Sequence, residues 1–258
     1  MELNQQNEQI QRLIQLLEEQ KRPGQAQDIS CLLFYIDGME RQFDAVLQEL
    51  QEVKVQLHES QKSPVKKALD SMVQGLEDKV SQARERISEL RERLAACAAN
   101  AVEGFKQAGI SAFDKTVSFL GIHKTLDALQ QDMGSLMADT QRTIEKVETM
   151  GHELRSAGSH LKNAGRSLTG KDTRQVDGGQ EGRFQAAVLA PLRTTHRIYS
   201  RMNNATLAAI GSVERLEQAA AQGREKKVSI RQELMEKKVE AAARPAPEGE
   251  KKSPEASL

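Results

Sequence analysis

In the stretch Ile29-Ser-Cys-Leu-Leu-Phe-Tyr-Ile-Asp-Gly-Met-Glu-Arg-Gln-Phe-Asp-Ala-Val-Leu-Gln-Glu-Leu-Gln-Glu-Val-Lys-Val-Gln-Leu57, apolar residues at Ile29, Leu32, Ile36, Met39, Phe43, Val46, Leu50, Val53 and Leu57 recur at steps of three and four without a miss. A 3-4 rhythm held over four heptads is the period of a coiled-coil seam, narrower than the apolar stripe of an ordinary surface helix. These nine residues are therefore the expected partner seam. The rhythm requires a facing helix but does not specify whether it belongs to the same chain. Within the seam, Cys31 to Ile36 are apolar all round, so they need cover on more than one side.

The nearest cover lies upstream. Residues 3–20 read as a helix with Ile10, Leu13, Ile14 and Leu17 on one face, and Arg22-Pro23-Gly24 turns the chain, because proline cannot continue the hydrogen-bond ladder. A helical hairpin results. Downstream, Ser63-Pro64 suits the start of a new helix, with serine as N-cap and proline at the first position. Leu69, Met72, Leu76, Val80, Ala83, Ile87, Leu90, Leu94, Cys97 and Ala101 form its seam, with an extra step of four at Leu76 to Val80 that would locally unwind a supercoil. The strings Arg84-Glu85-Arg86 and Arg91-Glu92-Arg93 read as a solvated exterior, since mixed signs do not suit a phosphate-binding face.

Ile110, Phe113, Val117 and Leu120 make a short amphipathic piece, for which packing within the protein is favoured over a membrane surface. The next helix, over 122–169, opens with Leu126, Leu129, Met133 and Leu136 and then changes character. Gly151, Gly158 and Gly165 fall seven apart and interleave with Leu154, Leu161 and Leu168. Glycine inside a helix costs about 0.5–1 kcal/mol relative to alanine, so three in one register predict close helix packing, with the helix of 183–222 as the neighbour. Pro191 marks a kink or a start within that helix. A charged helix to Ala243 follows, and 244–258 have the composition of a disordered tail.

The chain has 258 residues, no Trp, 3% aromatics and 29% charged residues, which favours long helices with thin seams over a thick core. Residues 1–60 carry 5 Lys/Arg against 11 Asp/Glu, whereas 151–201 carry 9 against 4. Such a polarised chain can pair head to tail. Cys31 and Cys97 have no metal-type spacing and fit a reducing, cytoplasmic setting. No apolar run approaches eighteen residues, so no membrane span is expected.

Gly165-Arg-Ser-Leu-Thr-Gly-Lys171 imitates a P-loop, but Asp172 stands where magnesium needs Ser or Thr, and a helix precedes the string where a strand is required. His152-Glu153 lacks the second histidine of a zincin, because Ser156 occupies its place. No catalytic, cofactor-binding or metal-ligating residue is assigned, and no small-molecule substrate is inferred. Arg166, Lys171, Arg174, Arg193, Arg197 and Arg201 are candidate anion or nucleic-acid contacts. An exposed basic ridge, or one docked on the acidic N-terminal helices, is the plainer reading, because neither aromatic interleaving nor a helix-turn-helix signature accompanies them.

The stretches Gln25-Ala-Gln-Asp28, Tyr35-Ile-Asp-Gly-Met-Glu-Arg-Gln-Phe-Asp44, Gly158-Ser-His-Leu-Lys-Asn-Ala-Gly-Arg-Ser-Leu-Thr-Gly-Lys171 and Phe184-Gln-Ala-Ala-Val-Leu-Ala-Pro-Leu192 resemble an uncharacterised family of helical proteins carried on bacterial conjugative and integrative elements. The resemblance runs to about residue 220. It implies a genetic setting and brings no activity with it.

The expected architecture is all-α: elongated helical hairpins with coiled-coil heptads and a disordered C-terminal tail. The segments are 1–62, an N-terminal hairpin; 63–121, a charged long helix and the amphipathic piece; 122–222, a hairpin with Gly/Leu heptads and the basic region; and 223–258, a charged helix and tail. The expected role is a non-enzymatic interaction or scaffold protein with a protein partner or self-association, possessing no cofactor. The alternative is a nucleic-acid-binding accessory of DNA transfer that uses the 162–201 basic region.

Overall fold

A computed structural model describes residues 2–59, 64–108, 119–174 and 182–243, and within them the chain is all-α. Its helices are α1 (Glu2–Glu19), α2 (Pro23–Glu59), α3 (Pro64–Ala108), α4 (Leu120–Leu168) and α5 (Arg183–Ala243). The tail from 244 and the residues Ile110, Phe113 and Val117 lie outside the described residues. Pro64 opens α3 as expected, and Pro23, read in the sequence as part of the turn, is itself the first residue of α2; at both positions the missing N–H has no intrahelical partner to lose.

Helices α2 to α5 form a ring in which each packs on its neighbours in sequence and α5 closes on α2. Cross-links between helices give their directions. Asp44 meets Arg84 at 2.9 Å while Lys54 meets Glu77, so α3 runs antiparallel to α2. Arg86 with Asp132 and Lys79 with Asp139 do the same for α3 and α4. His123 with Glu217 and Arg193 with Glu148 set α4 against α5, and Tyr35 with Thr206 and Asp28 with Arg215 set α5 against α2. The result is an up-down-up-down bundle. Helix α1 lies outside the ring, in the groove between α2 and α3.

One hydrophobic cluster runs from Ile10 to Leu216 and draws on all five helices, so the segments marked off in the sequence share a core. The α3 seam differs in detail from the expected one. Val73 and Ala98 are buried where Met72 and Cys97 were expected to be. The steps from Leu69 to Leu90 therefore alternate regularly, and the two successive fours fall at Leu90, Leu94 and Ala98. Pro191 lies inside α5, which runs through it from Arg183. The break that proline favours, about 3 kcal/mol, is outweighed by burial of Val188, Leu189 and Leu192 around it.

Arg91 is a correction to the solvated-exterior reading of the α3 charges. Its side chain is 2% exposed, and it is held where α1, α2 and α3 meet. It donates to Asn7 Oδ1 at 2.8 Å, Asp37 Oδ1 at 2.7 Å and both Glu40 carboxylate oxygens at 3.2 and 2.9 Å. Arg84 and Arg86 likewise reach carboxylates on neighbouring helices. The charge pattern on α3 thus ties the bundle together as well as solvating it.

Candidate functional site

All nine residues of the expected partner seam, from Ile29 to Leu57, are buried inside the single chain. The seam closes on α1, α3 and α5, so it is core and offers nothing to an outside partner. Interaction surfaces must be sought where helices outrun the bundle.

Helix α4 does so at one end. Gln185, in the first turn of α5, packs against Gly151, where a Cβ would collide with its amide, and Arg155 donates to the same amide. Here glycine serves the close approach expected of it. Gly158 and Gly165, by contrast, have nothing within 4 Å of a Cβ position. The predicted packing against α5 stops at Gly151, because α5 begins at Arg183, only two residues before Gln185, and has no further turn to meet the rest of α4. Leu154, Leu161 and Leu168 are 62%, 77% and 88% exposed. They continue in heptad register from buried Val147, so a core seam runs on past its cover.

The chain then folds back on the opposite face of this extension. Thr169 N–H donates to Arg166 O, and Gly170, at φ 69°, lets Lys171 N–H reach Arg166 O at 2.9 Å. This is a Schellman-type end, for which glycine's freedom at positive φ is suited. Asn163 clamps the returning segment by donating to Arg174 O at 2.7 Å and accepting from Arg174 N–H at 3.0 Å, while Arg166 Nε donates to Asp172 O at 2.8 Å. Lys162, Arg166, Lys171 and Arg174 thereby surround a cleft of about 530 Å³ with Ser159 and Thr169. Of the candidate anion contacts, the fold gathers Arg166, Lys171 and Arg174. The others lie along α5: Arg193 pairs with Glu148 at 2.7 Å, Arg197 Nε donates to Arg193 O at 3.4 Å, and Arg201 is exposed. Lys162 was overlooked as a member, since its place in the cleft depends on the loop returning.

At the other end α5 outruns the bundle. Ile230, Leu234, Met235 and Val239 are 55–69% exposed. Beside the root of this extension, α2 and α5 frame an apolar groove of about 780 Å³. Cys31, Phe34 and Gly38 contribute from α2, and Ala205, Ala208 and Ser212 from α5. Its floor is pinned by the hydrogen bond between Tyr35 and Thr206 hydroxyls at 2.9 Å, and its end by Arg215, which donates to Asp28 Oδ1 at 2.6 Å. Burial raises the Tyr35 phenol above its ordinary range despite the Thr206 bond. The all-round apolar run Cys31–Ile36 was the signal for this groove: Leu32, Leu33, Tyr35 and Ile36 are covered, whereas Phe34 stays 73% exposed and Cys31 exposed.

Among the described residues no group of His, Cys, Asp and Glu is placed to hold a metal ion, and no helix is long and apolar enough to cross a membrane. The string Gly165–Lys171 terminates a helix rather than opening one. No curated protein and no solved structure matches the chain. A family model, described as a family of unknown function (DUF6674), matches residues 6–257. That match spans all five helices, both extensions and the groove, and the chain belongs to this family of unknown function.

Proposed function

We propose that the protein is a non-enzymatic interaction or scaffold component that assembles through the helix ends protruding from its bundle. The observation carrying this reading is the exposure of Leu154, Leu161 and Leu168 at one end and of Ile230, Leu234, Met235 and Val239 at the other, while the seam of α2 is fully satisfied inside. Grouped exposed apolar side chains on a helix mark an interaction site. The resemblance to proteins of bacterial conjugative and integrative elements makes an accessory role in such an element, in the cytoplasm, part of the proposal. Light scattering on the full chain tests it. A mass that is a multiple of 28.6 kDa without nucleic acid is expected, and 28.6 kDa at every concentration and salt would overturn it.

A second reading, an accessory that binds nucleic acid, is favoured by the four cations around the cleft at the end of α4. Cations that neutralise phosphates release counterions, so affinity for a DNA duplex must fall steeply with salt. Loss of that binding in a Lys162→Ala, Arg166→Ala, Lys171→Ala variant would support it, and binding unchanged by the substitutions would count against it.

A further inference from the structure

We propose that the groove between α2 and α5 is the seat for the α5 extension of a second copy of this chain, exchanged about a two-fold axis. The inference deepens the assembly reading above and rests on it.

The two halves of the interface are both uncovered in the single chain. The groove is walled by small residues and flanked by an exposed Phe34, and the extension carries exposed Ile230 and Leu234. They also share a helix face. Ala205, Ala208, Ser212 and Arg215 line the groove at steps of three, four and three, and at about 3.6 residues per turn that line passes through Ala219 and Gly223 to Ile230 and Leu234. One face of α5 therefore presents a receptor along the bundle and its ligand beyond it. A two-fold axis places the same patch on both copies, so two antiparallel α5 helices meeting on this face satisfy both halves at once. The axis falls near residue 220, at the foot of the bundle, where Ala219 and Gly223 permit close approach. The two bundles then lie diagonally, on opposite sides of the paired helices, without overlap.

The extension from Gly223 to Ala243 is about 30 Å long. It is exchanged twice, once in each direction, which brings the buried surface towards the roughly 800 Å² per partner of a standard interface. No single-copy arrangement achieves this, since a straight helix cannot fold back onto its own side.

The native cysteine in the groove provides the test. Asp28 faces Arg215 and Tyr35 faces Thr206, so Cys31 lies level with α5 residues near 211. In the exchanged dimer the partner's residue 230 arrives at that height. Within one chain positions 31 and 230 are about 28 Å apart along α5, far beyond the roughly 7 Å between Cα atoms that a disulfide can span. Full-length Ile230→Cys under mild oxidation should give a disulfide-linked dimer on a non-reducing gel. Adding Cys31→Ser should abolish it, and the wild-type chain should stay uncrosslinked. In parallel, Ile230→Asp with Leu234→Asp should bring the light-scattering mass down to 28.6 kDa with helical ellipticity retained, because both side chains are exposed in the single chain. A wild-type mass above 28.6 kDa with no Cys31-dependent disulfide would overturn the exchange and leave the assembly reading standing, with Leu154, Leu161 and Leu168 as the surface to examine. A disulfide that survives Cys31→Ser would place the partner's residue 230 against a thiol outside the groove and equally overturn it. A wild-type mass of 28.6 kDa throughout would overturn both.

Discussion

At two helix ends the same hydrogen-bond motif is built on different residues. After α4, Gly170 takes the left-handed position at φ 69°, and after α1, Lys21 takes it at φ 56°. At the latter, Lys21 N–H donates to Glu18 O at 3.0 Å and Arg22 N–H to Leu17 O at 2.9 Å. A residue with a Cβ is strained there by about 1–2 kcal/mol, and glycine is not. Lys21→Gly should accordingly raise stability by about 1 kcal/mol, seen as a higher urea midpoint with an unchanged slope. A lower midpoint would mean that the lysine's chain makes contacts outweighing the backbone strain. Arg91 shows the limit of residue-level reading. In sequence it is indistinguishable from Arg84, Arg86 or Arg93, and it is buried where α1 and α2 converge on α3, with Asn7, Asp37 and Glu40 accepting from its guanidinium.

At the scale of elements, α2 and α4 carry equally regular apolar heptads but meet opposite fates. Phe43 is 0% exposed, so Phe43→Asp removes a packed aromatic and strands a carboxylate. The expected cost is about 3–5 kcal/mol, measured by circular dichroism melts, and unchanged helicity and midpoint would contradict the placement of α2 in the core. Gly158 stands in open space. Substitution there meets no neighbour, so Gly158→Ala and Gly158→Leu should both increase helix content, each by no more than about 1 kcal/mol of local stability. Destabilisation by Gly158→Leu with Gly158→Ala milder would instead reveal a helix packed on α4 in solution. That result would point to assembly through this end.

The whole molecule shares one cluster, and its response to alkali should be correspondingly global. Cys97 is pushed from 9.0 up to about 11 by burial, and burial raises the phenols of Tyr35 and Tyr199 as well. Folded values above unfolded ones mean that the folded chain holds protons which the unfolded chain releases first. The stability linked to them is complete below the unfolded values and is lost as pH rises through the folded ones, a decline starting near pH 9 and amounting to about 3 kcal/mol for Cys97 alone. The chain has two Tyr and no Trp, so phenolate absorbance is a clean probe. It should appear together with loss of helical ellipticity. Phenolate formation near pH 10 with helicity intact would show that the tyrosines are not buried as described.

Helix type and most helix limits were legible in the sequence because both depend on neighbours a few residues away. Period fixed the apolar faces of α1, α2 and the first half of α4, and Pro23, Pro64 and Gly170 punctuate the chain through their own backbone chemistry. A period states that a face needs cover and is silent about what supplies it. That was decided by contacts between distant parts of the chain, such as Tyr35 with Thr206 and Asp28 with Arg215, which turned the α2 seam inward and closed the ring. Helix length is likewise set locally, whereas overlap is set by packing. Because α4 runs on past the level at which its neighbour α5 begins, the heptads of Leu154, Leu161 and Leu168, which continue the register of a core seam, end in solvent.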